Sequence, residues 1–205
     1  MKQKTKRHTD PALAQARREQ VLAAAADCFR RKGYHGAGMA EISKTAGMSA
    51  GHIYNYFTNK EAIIESIIER DMEEMFSIFQ EFEDMPGDLV TILLDGLDHA
   101  VERHTDIDQG ALNLEMLAEA ARNNKVASLL HATDVLARER MRQLLVGERG
   151  PLKDIADDEL TGRIDVMFAM IGGLLLRKML NPDLDQQAVL KALRPTMKTL
   201  LLPFA

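Results

Sequence analysis

A single cysteine in 205 residues leaves Cys28 without an intrachain partner, so no disulfide framework holds this fold. No apolar segment follows the basic residues at the N-terminus as a secretory signal requires, and the expectation is a cytoplasmic protein. The longest uncharged apolar run, Val166 to Leu176, lies between Asp165 and Arg177. It is about half of the ~20 residues that a membrane-spanning helix needs, so no membrane partner is expected. Alternation of apolar and polar residues is missing throughout, which argues against strands, and no internal repeat or low-complexity tract occurs. What remains is 46% hydrophobic and 28% charged content, enough apolar material for a core and too much to stay disordered.

The net charge of −5 hides a division along the chain. Residues 1–60 carry eleven basic side chains against four acidic ones, a surplus of seven, while the rest of the chain has a deficit of twelve. A basic head on an acidic body points to a polyanion at the head and a separate task for the body.

Apolar residues recur at three and four spacing almost everywhere, so the expected fold is all-α with about nine helices. Asp10-Pro11 opens a first helix whose apolar face runs through Val21, Leu22, Ala25, Ala26 and Phe29 until Gly33 stops it. Two short helices follow, Met39 to Ala46 ended by Gly47, and Ala50 to Phe57 capped by Ser49. Thr58 and Glu61 have the spacing of a capping box at the start of a long helix, which ends near Met85-Pro86-Gly87. Roughly five further helices are separated at Thr105-Asp106, Asn123-Asn124, Gly147 to Pro151 and Asn181-Pro182, and Pro195 should kink the last. The divisions expected are a basic tail at 1–9, a helical head at 10–60 and a longer helical body at 61–205.

Two short helices joined at Gly47 make a helix-turn-helix, whose second helix enters the major groove. At ~100° per residue, Ile53 and Phe57 point together toward a core, leaving Gly51, His52 and Asn55 opposite them, beside Ser49 and Ala50. Asn pairs bidentately with adenine and His donates to a purine acceptor, so His52 and Asn55 are the expected readers, with Gly51 allowing close backbone approach. Tyr54 and Tyr56 flank that face, where their hydroxyls would reach phosphates, unless they pack between helices instead. Lys60, in the first turn of the next helix, would share a phosphate with the N–H groups there.

The stretch that begins with the Ala-rich helix ending in Phe29 and Gly33-Tyr34 continues through Met39, Ile42 and Ala46-Gly47-Met48-Ser49. It closes on Gly51-His52-Ile53-Tyr54-Asn55-Tyr56-Phe57 and Lys60-Glu61, and it resembles the DNA-binding segment of TetR-family transcriptional regulators. The likeness covers about residues 12–75. It implies an N-terminal three-helix domain that binds a palindromic double-stranded operator and a C-terminal domain that binds a small-molecule effector. It also implies a homodimer paired through the last two helices, repression relieved by the effector, and neither enzymatic activity nor a cofactor. The sequence departs from the family at Ala37-Gly38, where a Ser or Thr usually caps the second helix.

Three other readings compete with this one. A sequence-indifferent DNA-packaging protein would use the basic head without its readers. Gly47-Met48-Ser49-Ala50-Gly51 matches the hydrolase pattern G-x-S-x-G, but without the strand that pattern needs. Asp95, His99, Glu102 and His104 look like metal ligands but read more simply as a solvated face. For the effector, the apolar and polar candidates are Phe76, Phe79, Asn113, Glu115, Met116, Glu119, Met141, Leu144, Met167, Phe168 and Ile171, suited to a lipophilic or cationic compound. Val166 to Leu176, with Gly172-Gly173, and Leu200 to Leu202 are the candidate dimer surfaces.

Overall fold

The computed structural model describes residues 10–203; the basic tail at 1–9, with its expected phosphate contacts, lies outside the described residues. The helices are α1 (Pro11–Gly36), α2 (Met39–Thr45), α3 (Ala50–Ile53), α4 (Lys60–Asp84) and α5 (Leu89–Asp95), followed by α6 (Leu97–His104), α7 (Ile107–Ala120), α8 (Asn124–Val146), α9 (Asp157–Leu180) and α10 (Gln186–Leu201). No strand occurs among the described residues. Gly96 ends α5 and starts α6, so these two form one interrupted helix and the all-α reading with about nine helices holds. No helix among the described residues is long and apolar enough to cross a membrane.

The chain divides into two compact units, residues 1–69 and 70–205, so the division falls inside α4 and not at its start. In the first unit, Asp10 caps α1 by accepting from the Ala12 N–H at 3.0 Å, and Gly33 breaks the helix at φ 74°. Val21, Leu22, Ala25, Cys28 and Phe29 on the inner face of α1 are buried, as are Ile42, Ala46, Ile53, Phe57, Ile63, Ile64 and Ile67 of the segments that follow. The α2–α3 turn is a Schellman motif: the Met48 N–H donates to the Ser43 carbonyl at 2.9 Å and the Gly47 N–H to Lys44 at 3.1 Å. Gly47 sits there at φ 63°, which an L side chain resists.

Two local expectations need correction. The third helix runs only from Ala50 to Ile53, and Tyr54 to Phe57 continue as tight turns, with the Tyr56 N–H donating to Ile53 O at 2.8 Å. Ile, Tyr, Asn and Phe are all poor helix formers, and five of them in succession do not sustain the helix. The α4 cap is Asn59, whose Oδ1 accepts from the Ala62 N–H at 2.8 Å, so the expected Thr58–Glu61 capping box gives way to a cap one residue later.

In the second unit α5 to α10 and the end of α4 enclose a core that includes Phe79, Leu93, Leu97, Val101, Leu144, Leu145, Leu160, Ile164, Met167, Leu190, Leu193 and Met197. Gly110 of α7 lets α9 come close, since a Cβ there would lie 1.8 Å from Leu175 Cδ1. Arg163 is buried, but Glu159 Oε1 at 2.6 Å and the carbonyl of Leu200 at 3.1 Å accept from it, so the charge is compensated. α10 continues through Pro195 to Leu201.

The Schellman turn makes a quantitative expectation. Gly47→Ala should lower the unfolding free energy by about 1 kcal/mol and Gly47→Asn by less, because Asn tolerates positive φ. Urea midpoints of the three proteins check it, and equal midpoints would contradict the turn.

Candidate nucleic-acid interface

The α2–turn–α3 unit puts its candidate readers on one surface by burying two others. Ile53 and Phe57 are 0% and 2% exposed, while Ala50, Gly51, His52, Tyr54 and Asn55 lie at the surface and Tyr56 is half-buried. Ser49 Oγ accepts from the His52 N–H at 3.3 Å, so its hydroxyl is a helix cap. With no strand before it, the hydrolase pattern has no structural support here.

The two tyrosines are not equivalent. Tyr54 is 53% exposed. Tyr56 instead stacks on His52, with ring centroids 5.5 Å apart and planes at 16°, and its hydroxyl lies 3.2 Å from His52 Nε2. The expected free phosphate arm at Tyr56 is therefore joined to a reader, because residues four apart on one turn meet. The pairing occupies Nε2 and leaves Nδ1 of His52 for a partner outside the chain.

Lys60 also departs from expectation. Its ammonium donates to the Tyr34 carbonyl at 2.6 Å and the Ala37 carbonyl at 3.1 Å, and lies 4.2 Å from the Tyr34 ring centroid. It holds the chain after Gly33 to the start of α4, and two of its three N–H groups are spent there. Two residues of α1 support the same surface. Arg18 donates to the Tyr56 carbonyl at 3.3 Å and Ser66 Oγ at 2.6 Å, with its guanidinium 4.4 Å from the Phe57 ring centroid. Gln20 Nε2 donates to the Ala46 carbonyl at 2.7 Å, bracing the α2 terminus. No local spacing announces contacts 26 and 38 residues apart.

The effector candidates separate within the second unit. Phe79, Met141, Met167, Phe168 and Ile171 border a cavity of about 500 Å³. Asn113 borders a second of about 750 Å³. Phe76, Glu115, Met116, Glu119 and Leu144 border neither. Leu144 and Met116 are buried in packing, Phe76 packs against the core, and Glu119 accepts from Asn123 Nδ2 at 3.0 Å. Helical period marks a buried face but not which part of it adjoins a void. Among the described residues no group of three or more His, Cys, Asp or Glu is placed to hold a metal ion. Asp95, His99 and His104 border the larger cavity, and Glu102 is exposed outside it.

Comparison with known proteins bears on both units. Residues 21–67 match the family described as bacterial regulatory proteins, tetR family. The HTH-type transcriptional regulator UidR of Escherichia coli (strain K12) is 30% identical over 170 residues, covering 78% of this chain and 83% of that protein. The structure of Salmonella enterica GusR superposes with a TM-score of 0.70 at 28% identity, covering 95% of this chain and 98% of that one. A transcriptional regulator from Rhodococcus sp. Rha1 shares the fold with a TM-score of 0.73 at 20% identity.

The contacts of Lys60 predict a structural role. Lys60→Met should lower stability by about 1–2 kcal/mol, since two charge-assisted hydrogen bonds are lost. The slope of log affinity for DNA against log salt should stay within experimental error, whereas a lysine neutralising a phosphate would change it by about 0.9.

Proposed function

Because the chain belongs to the TetR family of DNA-binding transcriptional regulators, we propose that it is a repressor that binds a palindromic operator as a homodimer and is released by a small molecule. The observation that carries this reading is the α3 surface, where His52 and Asn55 stand outward over a buried Ile53 and Phe57. Asn55 supplies a bidentate adenine contact, His52 a donor to a purine acceptor, and Ser49, Ala50, Gly51 and Tyr54 border the approach to the groove. Tyr56 acts through His52, orienting the ring on which it stacks. Lys60 acts by holding the first turn of α4 in place.

Dimerisation is supported by α9. Gly162, Val166, Ala169, Gly173, Leu176 and Leu180 are all exposed, and their spacing alternates four and three, the seam of two packed helices. The small residues let a second backbone approach, and a Cβ at Gly162 or Gly173 would meet nothing within 4 Å in the single chain. The other half of the expected Val166–Leu176 surface, Met167, Leu174 and Leu175, is core. So is Leu201 in the expected Leu200–Leu202 surface. Release follows if the effector prefers one orientation of α4, which carries Ile63, Ile64 and Ile67 in the first unit and Met75 and Phe79 in the second.

Selection of a randomised duplex pool with the full chain tests the reading. The unmodified protein should enrich an inverted repeat whose half-sites lie ~34–36 Å apart or a multiple of that. His52→Ala and Asn55→Ala should each cost about 1–3 kcal/mol on that repeat and little on random DNA. Tyr56→Phe should degrade the same base pair as His52→Ala, with the double variant no worse than either single one. Enrichment of nothing would instead favour a packaging protein. Val166→Glu with Leu176→Glu should give a monomer in sedimentation equilibrium and abolish tight operator binding, and a dimer that persists would place the interface elsewhere.

A further inference from the structure

The two cavities of the second unit share Met75, Phe82, Gly96, Ala100 and His104, so they adjoin along one wall. Their chemistry differs. The cavity of about 500 Å³ is bordered mainly by hydrophobic side chains such as Phe79, Leu97, Met141, Met167, Phe168 and Ile171. The cavity of about 750 Å³ is bordered also by Asp71, Glu81, Asp95, His99, Arg103 and Asn113. Volumes of this size suit a small organic ligand, and a divided lining suits one with two ends.

Three observations fix the character of the polar end. Asp71, Glu81 and Asp95 outnumber Arg103, the one Lys or Arg of the described lining; Arg103 pairs with Glu74 at 3.3 Å, and from outside the lining Arg70 lies 3.5 Å from Asp71 and Arg194 lies 3.7 Å from Asp95 and also pairs with Asp98, so the balance stays acidic. An anionic head would meet more repulsion than attraction there. His104, on the shared wall, donates from Nδ1 to the Ala100 carbonyl at 2.9 Å, since a carbonyl oxygen only accepts; burial holds the imidazole pKa below its ordinary value, against the Ala100 bond and with the neighbouring Arg103. The neutral ring then presents Nε2 as a lone-pair acceptor, with no protein donor to it among the described residues. Asp71 is partly buried, and that burial pushes its carboxyl above the usual carboxylate range in spite of Arg70 and Arg103 nearby. A cationic hydrogen-bond donor would give the Asp71 carboxylate a second positive neighbour beside Arg70, which lies 3.5 Å away, and would give the imidazole an N–H.

Resting on the ligand-responsive reading above, we infer that the paired cavities are one site for an amphipathic amine, its ammonium held between the Asp71 carboxylate and His104 Nε2 and its apolar chain in the cavity lined by Met141, Met167 and Phe168. The chain passes Phe82 at the shared wall. The Phe82 ring borders both chambers and lies so close to Gly96 that a Cβ there would be 2.8 Å from its Cζ.

A head-group series of one chain length tests this on the full-length protein. In calorimetric titrations at pH 7, nonylamine should bind at least tenfold more tightly than nonanoate, with nonanol between them. Butylamine should bind at least thirtyfold more weakly than nonylamine, since each buried methylene tightens binding by two- to fourfold. Asp71→Asn should remove most of the preference for the amine and leave nonanol unchanged. Nonanoate equal to or tighter than nonylamine, binding of none of the four, or an Asp71→Asn variant that keeps the preference overturns the assignment. The series on the unmodified chain decides the point even where the variant fails to fold. Nonylamine added to a complex with the selected duplex separates the two claims: release supports both, whereas binding without release leaves the site standing and overturns ligand response.

Discussion

Everything that the surface of the first unit presents to DNA depends on the burial of Ile53 and Phe57. α3 is four residues long, far below the length at which a helix holds itself together in water. Its position must come from tertiary burial, which supplies roughly 1.5–3 kcal/mol for each large apolar side chain. Phe57 is held from its other side by the Arg18 guanidinium, and Gln20 and the Gly47 turn fix the end of α2. Once those two side chains are inside, rotation about α3 is spent, and His52, Tyr54 and Asn55 have no face but the outer one. The reading surface is thus a by-product of the core, and core variants under α3 should disturb recognition without touching DNA.

The parts of this fold visible in the sequence are those set by neighbours in the chain. Asp10, Ser49, Asp88, Asp106, Asn123 and Asp185 cap helices where their side chains reach N–H groups two or three residues on. Spacing of three and four recovered the buried faces. What escaped was long-range or comparative. Thr58 and Asn59 both favour caps, and packing decides between them. Lys60 reads as an exposed cation until the carbonyls of Tyr34 and Ala37 are brought to it. The need for glycine at Gly96 comes from a ring, Phe82, that lies against it from another helix. His52 and Asn55 were legible as outward-facing residues because exposure follows from period alone, and the stack of Tyr56 on His52 was not.

Charge has a similar logic in each unit. In the second, arginines are matched to acids on facing or adjacent turns: Arg138 with Asp134 at 2.9 Å, Arg140 with Glu83 at 3.2 Å, Arg142 with Asp157 at 2.5 Å, and Arg194 with Asp98. Exposed pairs of this kind add little stability, but they leave an acidic remainder that repels phosphate. In residues 1–60 the acids are too few to match the cations, although Asp27 pairs with Arg31 and Glu41 with Lys32. The surplus of positive charge is left on the unit that carries the helix-turn-helix, so long-range attraction orients the chain before any base is touched.

A ligand can change DNA affinity only by as much as it distinguishes two conformations, and a switch from 1:99 to 99:1 demands about 10⁴-fold discrimination. Apolar contacts along walls that keep their shape contribute equally to either conformation and discriminate nothing. Discrimination has to arise where a ligand meets a side chain whose packing ties α4 to another helix. Phe82 meets that condition: it belongs to α4, borders both cavities, and rests against Gly96 at the α5–α6 junction. A molecule confined to either chamber meets the ring from one side, whereas one long enough to occupy both passes it and meets it from two. Length past this ring, more than total apolar area, is then the property that separates an effector from a mere binder.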